Sequence, residues 1–174
     1  MSLPDPAVHL REIGLVAARQ EVDHPWVDHV WTPHAALAEA PATSAGTLLS
    51  RDAGSALHYL GASMLELYPS ETANYRDNLQ SGDPRLWVAC RAAEDAGVPQ
   101  LVRVTADPTE GEALFECGTD IVGTVPMPQP IVEWLAEFVA TFHVERVFLK
   151  RQRDRGEKPG PRRGGQGSGR DDRS

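Results

Sequence analysis

The sequence has few cysteines and no long apolar run. Only Cys90 and Cys117 occur among 174 residues, and they form no CxxC pair. A disulfide framework and a thiolate zinc finger are therefore unsupported, and each cysteine is predicted to be a small buried hydrophobic residue. No stretch reaches the roughly 18 consecutive apolar residues of a transmembrane helix, and the N-terminus has no apolar run behind a basic start. These absences predict a cytoplasmic protein without membrane contact.

Familiar catalytic motifs are also missing. The sequence has no GxSxG, HExxH or GxxxxGKS, and no GxGxxG followed by a helix. The usual nucleophile, metalloprotease and nucleotide loops are thus absent, and no catalytic residue is predicted. The sequence favours a protein without enzymatic activity or cofactor, and it leaves an enzymatic role open.

Basic residues are scarce outside the C-terminal tail. Nine of the 17 Lys and Arg and four of the 25 Asp and Glu lie in 150–174, which leaves eight basic and 21 acidic residues in 1–149. An acidic surface repels phosphate backbones, so the folded part is predicted not to bind nucleic acid. The basic tail has two interpretations, a solubilising segment or an attachment to an acidic partner.

Residues 10–149 have the pattern of strands joined by turns. The predicted strands are 12–22, 30–40, two or three within 47–69, 85–93, 100–107 and 121–128. RDAGS (51–55) predicts a hairpin turn, LGAS (60–63) predicts a break, and Pro33 predicts an edge or a bulge. The predicted class is α+β, with a mostly antiparallel sheet forming a meander or partly open barrel of about 6–8 short strands.

Two short helices and one longer amphipathic helix complete this prediction. SETANYRDNLQSG (70–82) opens with Ser70 as a cap, and a second helix at 108–117 follows Asp107 as a cap. PIVEWLAEFVATFHV (130–144) has apolar residues at steps of three and four, which predicts a face toward the core. The domain plan is a flexible N-terminus at 1–9, a single α+β domain at 10–149 and a disordered Gly/Arg/Pro-rich basic tail at 150–174.

Residues 23–34, DHPWVDHVWTPH, contain half of the six histidines and half of the four tryptophans. The three histidines are five residues apart, which separates neighbours to opposite faces of a strand and by about 140° around a helix. No metal site is predicted from them, and a metal-binding module with ligands from elsewhere stays a lesser alternative. The simplest interpretation is a turn at VDHPW that leads into a strand, with His29 and Trp31 on one face and Trp26 packed at its entrance.

Five residues form the candidate partner or ligand surface: Trp26, His29, Trp31, Tyr75 and Asn78. Tyr75 and Asn78 come from the short helix that directly follows a strand, and such a helix often borders a groove. A half-buried structural anchor is an equally good interpretation of Tyr75. No cofactor-binding residue can be assigned.

Four segments in this order resemble a known family: PWVDHVW (25–31), TANYRDNL (72–79), LVRVTADPTEGEALFECGTDIVGTVPMP (101–128) and WLAEFVATFHVERVFLKRQRDR (134–155). They are similar to an uncharacterised bacterial family of small proteins classed as a domain of unknown function, over most of 10–155. Genes of that family tend to lie beside those for molybdenum-dependent formate dehydrogenase and its maturation factors. Some members carry the automated label molybdopterin-guanine dinucleotide biosynthesis protein A.

That label implies a guanylyltransferase with a glycine-rich loop bearing Arg and Lys. REIGLVAARQEVDHPW (11–26) has one glycine and no lysine, and the following strands lack the crossover helices of a nucleotide-binding α/β fold. The resemblance instead implies a non-catalytic accessory or assembly factor of a molybdenum-dependent formate dehydrogenase system, with enzyme subunits or maturation proteins as partners. The alternative is a small enzyme or carrier that handles a molybdopterin-type or nucleotide cofactor.

Overall fold

The computed structural model describes residues 7–118 and 120–144. The strands are β1 His9–His24, β2 Val27–Leu37, β3 Leu48–Asp52, β4 Ser55–Leu67, β5 Arg85–Arg91, β6 Gln100–Thr105 and β7 Ile121–Pro126. The helices are α1 Thr72–Gln80, preceded by a 3₁₀ turn at Pro69–Glu71, then α2 Pro108–Glu116 and α3 Gln129–Phe142. The predicted tail at 150–174, the last residues of the predicted domain and most of the predicted N-terminal segment lie outside the described residues.

The strands form two antiparallel sheets, which confirms the predicted α+β class. The four-stranded sheet has the order β2-β1-β4-β3, and the three-stranded sheet has the order β6-β5-β7. β2 lies beside β7 and β4 beside β6, but no ladder joins either pair in the described part of the chain. The sheets therefore surround one core without closing into a barrel.

β1 and β4 are longer than predicted, and a bulge bends this pair without ending it. β4 continues through LGAS, so the predicted break there is wrong. Gly61 has φ +115, and the β1–β4 register shifts between Leu15 and Val16 opposite it, which is a β-bulge. The edge or bulge predicted at Pro33 is confirmed, since this residue lies on the edge strand β2 next to a register shift between Val16 and Ala17. The hairpin turn at RDAGS is also confirmed.

The core lies between the two sheets and α3. The apolar face predicted for α3 is confirmed, since Ile131, Leu135 and Phe138 are fully buried. Cys90 on β5 is buried as predicted, and burial, with a smaller contribution from the Asp120 charge, raises the pKa of its thiol to about 12. The prediction for Cys117 is wrong: this residue follows the last turn of α2 and is exposed.

The two short helices begin differently. Asp107 caps α2 as predicted, because its carboxylate accepts from the backbone N–H groups of Thr109 and Glu110. The predicted Ser70 cap is wrong, since Ser70 lies inside the 3₁₀ turn before α1 and its hydroxyl donates to Glu71. None of the described helices is long and apolar enough to cross a membrane.

Candidate functional site

The hairpin tip, residues 23–28, projects beyond the neighbouring strand. β1 pairs with β4 only as far as Gln20, while its pairing with β2 continues to His24 opposite Val27. The turn predicted at VDHPW is confirmed. Trp26 does not pack at the strand entrance as predicted, because it is 88% exposed at the turn, beside Val27 at 45%. The tip therefore presents apolar surface to solvent.

His29 and Trp31 lie together at the base of this hairpin, as their shared strand face predicted. Their ring centroids are 6.0 Å apart with nearly perpendicular planes. The Arg19 guanidinium donates to His29 Nδ1 at 3.2 Å, and His29 Nε2 donates to the Ala96 carbonyl at 3.1 Å. Because an arginine can only donate and a carbonyl can only accept, these contacts select the neutral Nε2–H tautomer. Both ring nitrogens of His29 are thus occupied.

His58 on β4 joins this group, and sequence reasoning missed it. Its ring centroid lies 5.1 Å from that of Trp31, again nearly perpendicular. Both His58 ring nitrogens and Trp31 Nε1 are buried without a hydrogen-bond partner in the described part of the chain. Burial lowers the pKa of His58, and the nearby Arg19 and Arg51 charges lower it further. No local pattern links His58 to Trp31, because their contact depends on the sheet order.

Tyr75 lies in the core and does not border a groove with the histidine and tryptophan pair. It is 2% exposed, its ring packs against Phe138 at 6.1 Å, and its hydroxyl accepts from the Tyr68 backbone N–H at 3.1 Å. Burial raises the pKa of Tyr75 to about 12. Of the two interpretations of this residue, the structure favours the anchor.

Asn78 is a structural bridge between α1 and the smaller sheet. Its side-chain amide is 3% exposed and donates to the carbonyls of Arg85 at 2.8 Å and Ala106 at 2.9 Å. Its side-chain carbonyl accepts from the Arg85 backbone N–H at 3.0 Å. Both amide N–H groups and the side-chain carbonyl of Asn78 therefore bond to backbone groups.

Metal ligands do not converge in the described residues. No group of three or more His, Cys, Asp and Glu side chains there is placed to hold an ion. His24 and His34 are exposed, and His24 Nδ1 accepts from the Trp26 backbone N–H at 3.3 Å. The five-residue spacing distributes the three histidines along the hairpin.

Residues 12–153 match the family described as "Protein of unknown function (DUF3305)". The chain belongs to this family. The match confirms the resemblance to an uncharacterised domain family, and it includes β1 from Glu12 onward, the whole of β2 and His58. No curated protein and no solved structure matches the chain.

Proposed function

We propose that this protein is a non-catalytic accessory or assembly factor that binds a partner protein through the hairpin tip. The observation that carries the proposal is the 88% exposure of Trp26 at the end of a projecting hairpin. Tryptophan has a large apolar body and one polar N–H, and it is enriched among the residues that dominate binding energy at interfaces. Because the paired strands of a hairpin already order its backbone, little further backbone entropy is lost when such a side chain enters a pocket of the partner.

The charge around the tip indicates which kind of partner surface it would bind. Asp23 and Asp28 flank Trp26 and are exposed, and residues 1–149 contain 21 acidic against eight basic residues. Complementary potentials steer association and disfavour acidic partners. The expected partner surface is an apolar pocket surrounded by Lys and Arg.

The resemblance supports a partner within a molybdenum-dependent formate dehydrogenase system. Families encoded beside an enzyme and its maturation factors often act on that enzyme. The partner we propose is therefore a formate dehydrogenase subunit or one of its maturation proteins. The hairpin tip would hold it without chemistry of its own.

Co-purification and enzyme activity test this proposal together. Trp26→Ser and the matched control Phe115→Ser would each be expressed in a strain that lacks the protein and makes the formate dehydrogenase. Phe115 is 50% exposed on α2, away from the hairpin. Truncating a central interface tryptophan costs about 2 kcal/mol or more, which is roughly a 30-fold loss of affinity. We expect this loss for Trp26→Ser and near-normal behaviour for Phe115→Ser.

Two outcomes would contradict the proposal. Normal formate dehydrogenase activity in the deletion strain, with no enzyme subunit or maturation protein co-purifying with the wild-type chain, would remove the accessory role. Saturable binding of GTP or molybdopterin by the purified protein would favour the small enzyme or carrier instead.

A further inference from the structure

Two arginines from different strands line one small pocket on the four-stranded sheet. Arg19 on β1 and Arg51 on β3 both lie opposite Ala56 on β4, one from each side. Directly opposed residues of antiparallel strands share a face, so both long side chains project over the small alanine. The pocket has a volume of about 60 Å³, and its lining includes Arg19, Glu21, Arg51, Asp52, Ser55 and Ala56.

Neither arginine is neutralised by a carboxylate among the described residues. Glu21 and Asp52 line the same pocket, but the ion pairs within 4.0 Å in this part of the chain involve other arginines. The side-chain hydrogen bond of Arg19 goes to His29. Two guanidinium groups that form no ion pair with the described residues can offer their fork-shaped sets of N–H donors to an external acceptor.

Additional donors lie beside the arginines on the same face. Trp31 is opposite Arg19 in the β1–β2 register, and His58 lies two residues from Ala56 on β4. The Trp31 indole N–H and both nitrogens of His58 are buried and lack partners in the described residues. A neutral imidazole has one N–H, so Trp31 and His58 hold one buried donor each, and a buried donor without an acceptor costs about 1–3 kcal/mol.

We propose that Arg19 and Arg51, next to Trp31 and His58, form a binding site for a small oxoanion, a phosphate or carboxylate group. Both guanidinium groups line the pocket, and a guanidinium binds two oxygens of a carboxylate or phosphate group at once. One water molecule needs about 10–15 Å³ of cavity volume. A pocket of about 60 Å³ therefore holds an anionic group and is too small for a whole cofactor. The Glu21 and Asp52 charges oppose long-range attraction, so we expect a dissociation constant on the order of millimolar.

Nuclear magnetic resonance of the full chain can test this site directly. Sodium phosphate and sodium acetate would be titrated at constant ionic strength against sodium chloride, following the Trp31 indole N–H and the His58 ring. We expect both signals to shift to saturation with at least one oxoanion, and the pKa of His58 to rise because a nearby negative charge favours the imidazolium. Saturation with phosphate alone would assign a phosphate group, and saturation with acetate would assign a carboxylate.

Substitutions of two exposed arginines supply a test of the site and its control. Arg51→Gln on exposed β3 should weaken binding by about tenfold, the loss of one charge-assisted contact. Arg91→Gln, an exposed arginine at the end of β5, should bind like the wild type. Unchanged signals up to about 50 mM, roughly 50-fold above the expected constant, or wild-type binding by Arg51→Gln, would overturn the proposal. Since the hairpin tip takes no part in this titration, the partner proposal stands or fails separately.

Discussion

Replacing Gly111 by alanine tests how α2 packs on the smaller sheet. Gly111 is buried in the middle of α2, and its backbone lies directly on the indole ring of Trp87. A Cβ at this position would lie far inside van der Waals distance of three ring carbons of Trp87. The ring has little freedom to move, because Trp87 is on the central strand β5 between Thr105 and Thr124.

Two effects of opposite sign decide the result. Helix propensity alone predicts that Gly111→Ala stabilises the protein by about 1 kcal/mol. Overpacking a close contact costs about 1–3 kcal/mol, and more when a helix must shift. Because the clash involves the middle of a ring and backbone atoms of a helix, the upper part of that range applies. We expect a net loss of about 2 kcal/mol in the free energy of unfolding.

Urea unfolding followed by far-UV circular dichroism measures this difference by linear extrapolation. A double-mutant cycle with Trp87→Leu isolates the contact, because Gly111→Ala should become neutral or stabilising once the ring is gone. Glu112→Ala, at an exposed neighbouring position of α2, serves as the control and should change stability by less than about 0.5 kcal/mol. A Gly111→Ala protein as stable as the wild type would refute the packing.

Two further predictions concern buried polar groups. Asn78→Ala leaves two carbonyls and one N–H without their side-chain partner, and at about 1–3 kcal/mol per buried group we expect a loss of about 3 kcal/mol or more in urea unfolding; an unchanged midpoint would contradict the bridging role. Burial raises the pKa of Tyr75 from 10.0 to about 12, so the folded state keeps this proton more tightly. The stabilisation that protonated Tyr75 gives the folded state is complete below pH 10. It declines by about 2.7 kcal/mol as the pH rises to 12. Measured in a Cys90→Ala background, since the raised pKa of Cys90 acts in the same direction, the decline should be smaller by this amount in Tyr75→Phe. The raised pKa values of Tyr59 and Tyr68 keep the rest of it in place, and identical curves would contradict the prediction.

Local signals predicted the elements whose cause is local. Asp107 caps α2 through backbone groups two and three residues away, so the sequence around it contains the whole interaction. The predicted break at LGAS was wrong for the opposite reason, because the outcome there depends on a strand distant in sequence. A glycine with positive φ suits both a turn and a bulge, and Gly61 became a bulge because β1 is long enough to pair on both sides of it.

The candidate site was only partly predictable for the same reason. His29 and Trp31 were placed together because alternate residues of a strand share a face. Arg51 and His58 join them only through the order β2-β1-β4-β3, in which strands distant in sequence become neighbours. The position of Asn78 was equally hidden, since its partners are Arg85 on β5 and Ala106 directly after β6.

The contacts of His29 change what its substitution would measure. Its Nδ1 accepts from Arg19 inside the hairpin, and its Nε2 donates to Ala96 in the loop between β5 and β6. With both nitrogens occupied, His29 positions the hairpin base against that loop and has no nitrogen free for a ligand. His29→Ala would therefore release both Arg19 and the loop, so a loss of partner binding in that variant reports the position of the hairpin. Trp26→Ser changes no such contact and reports the interface itself.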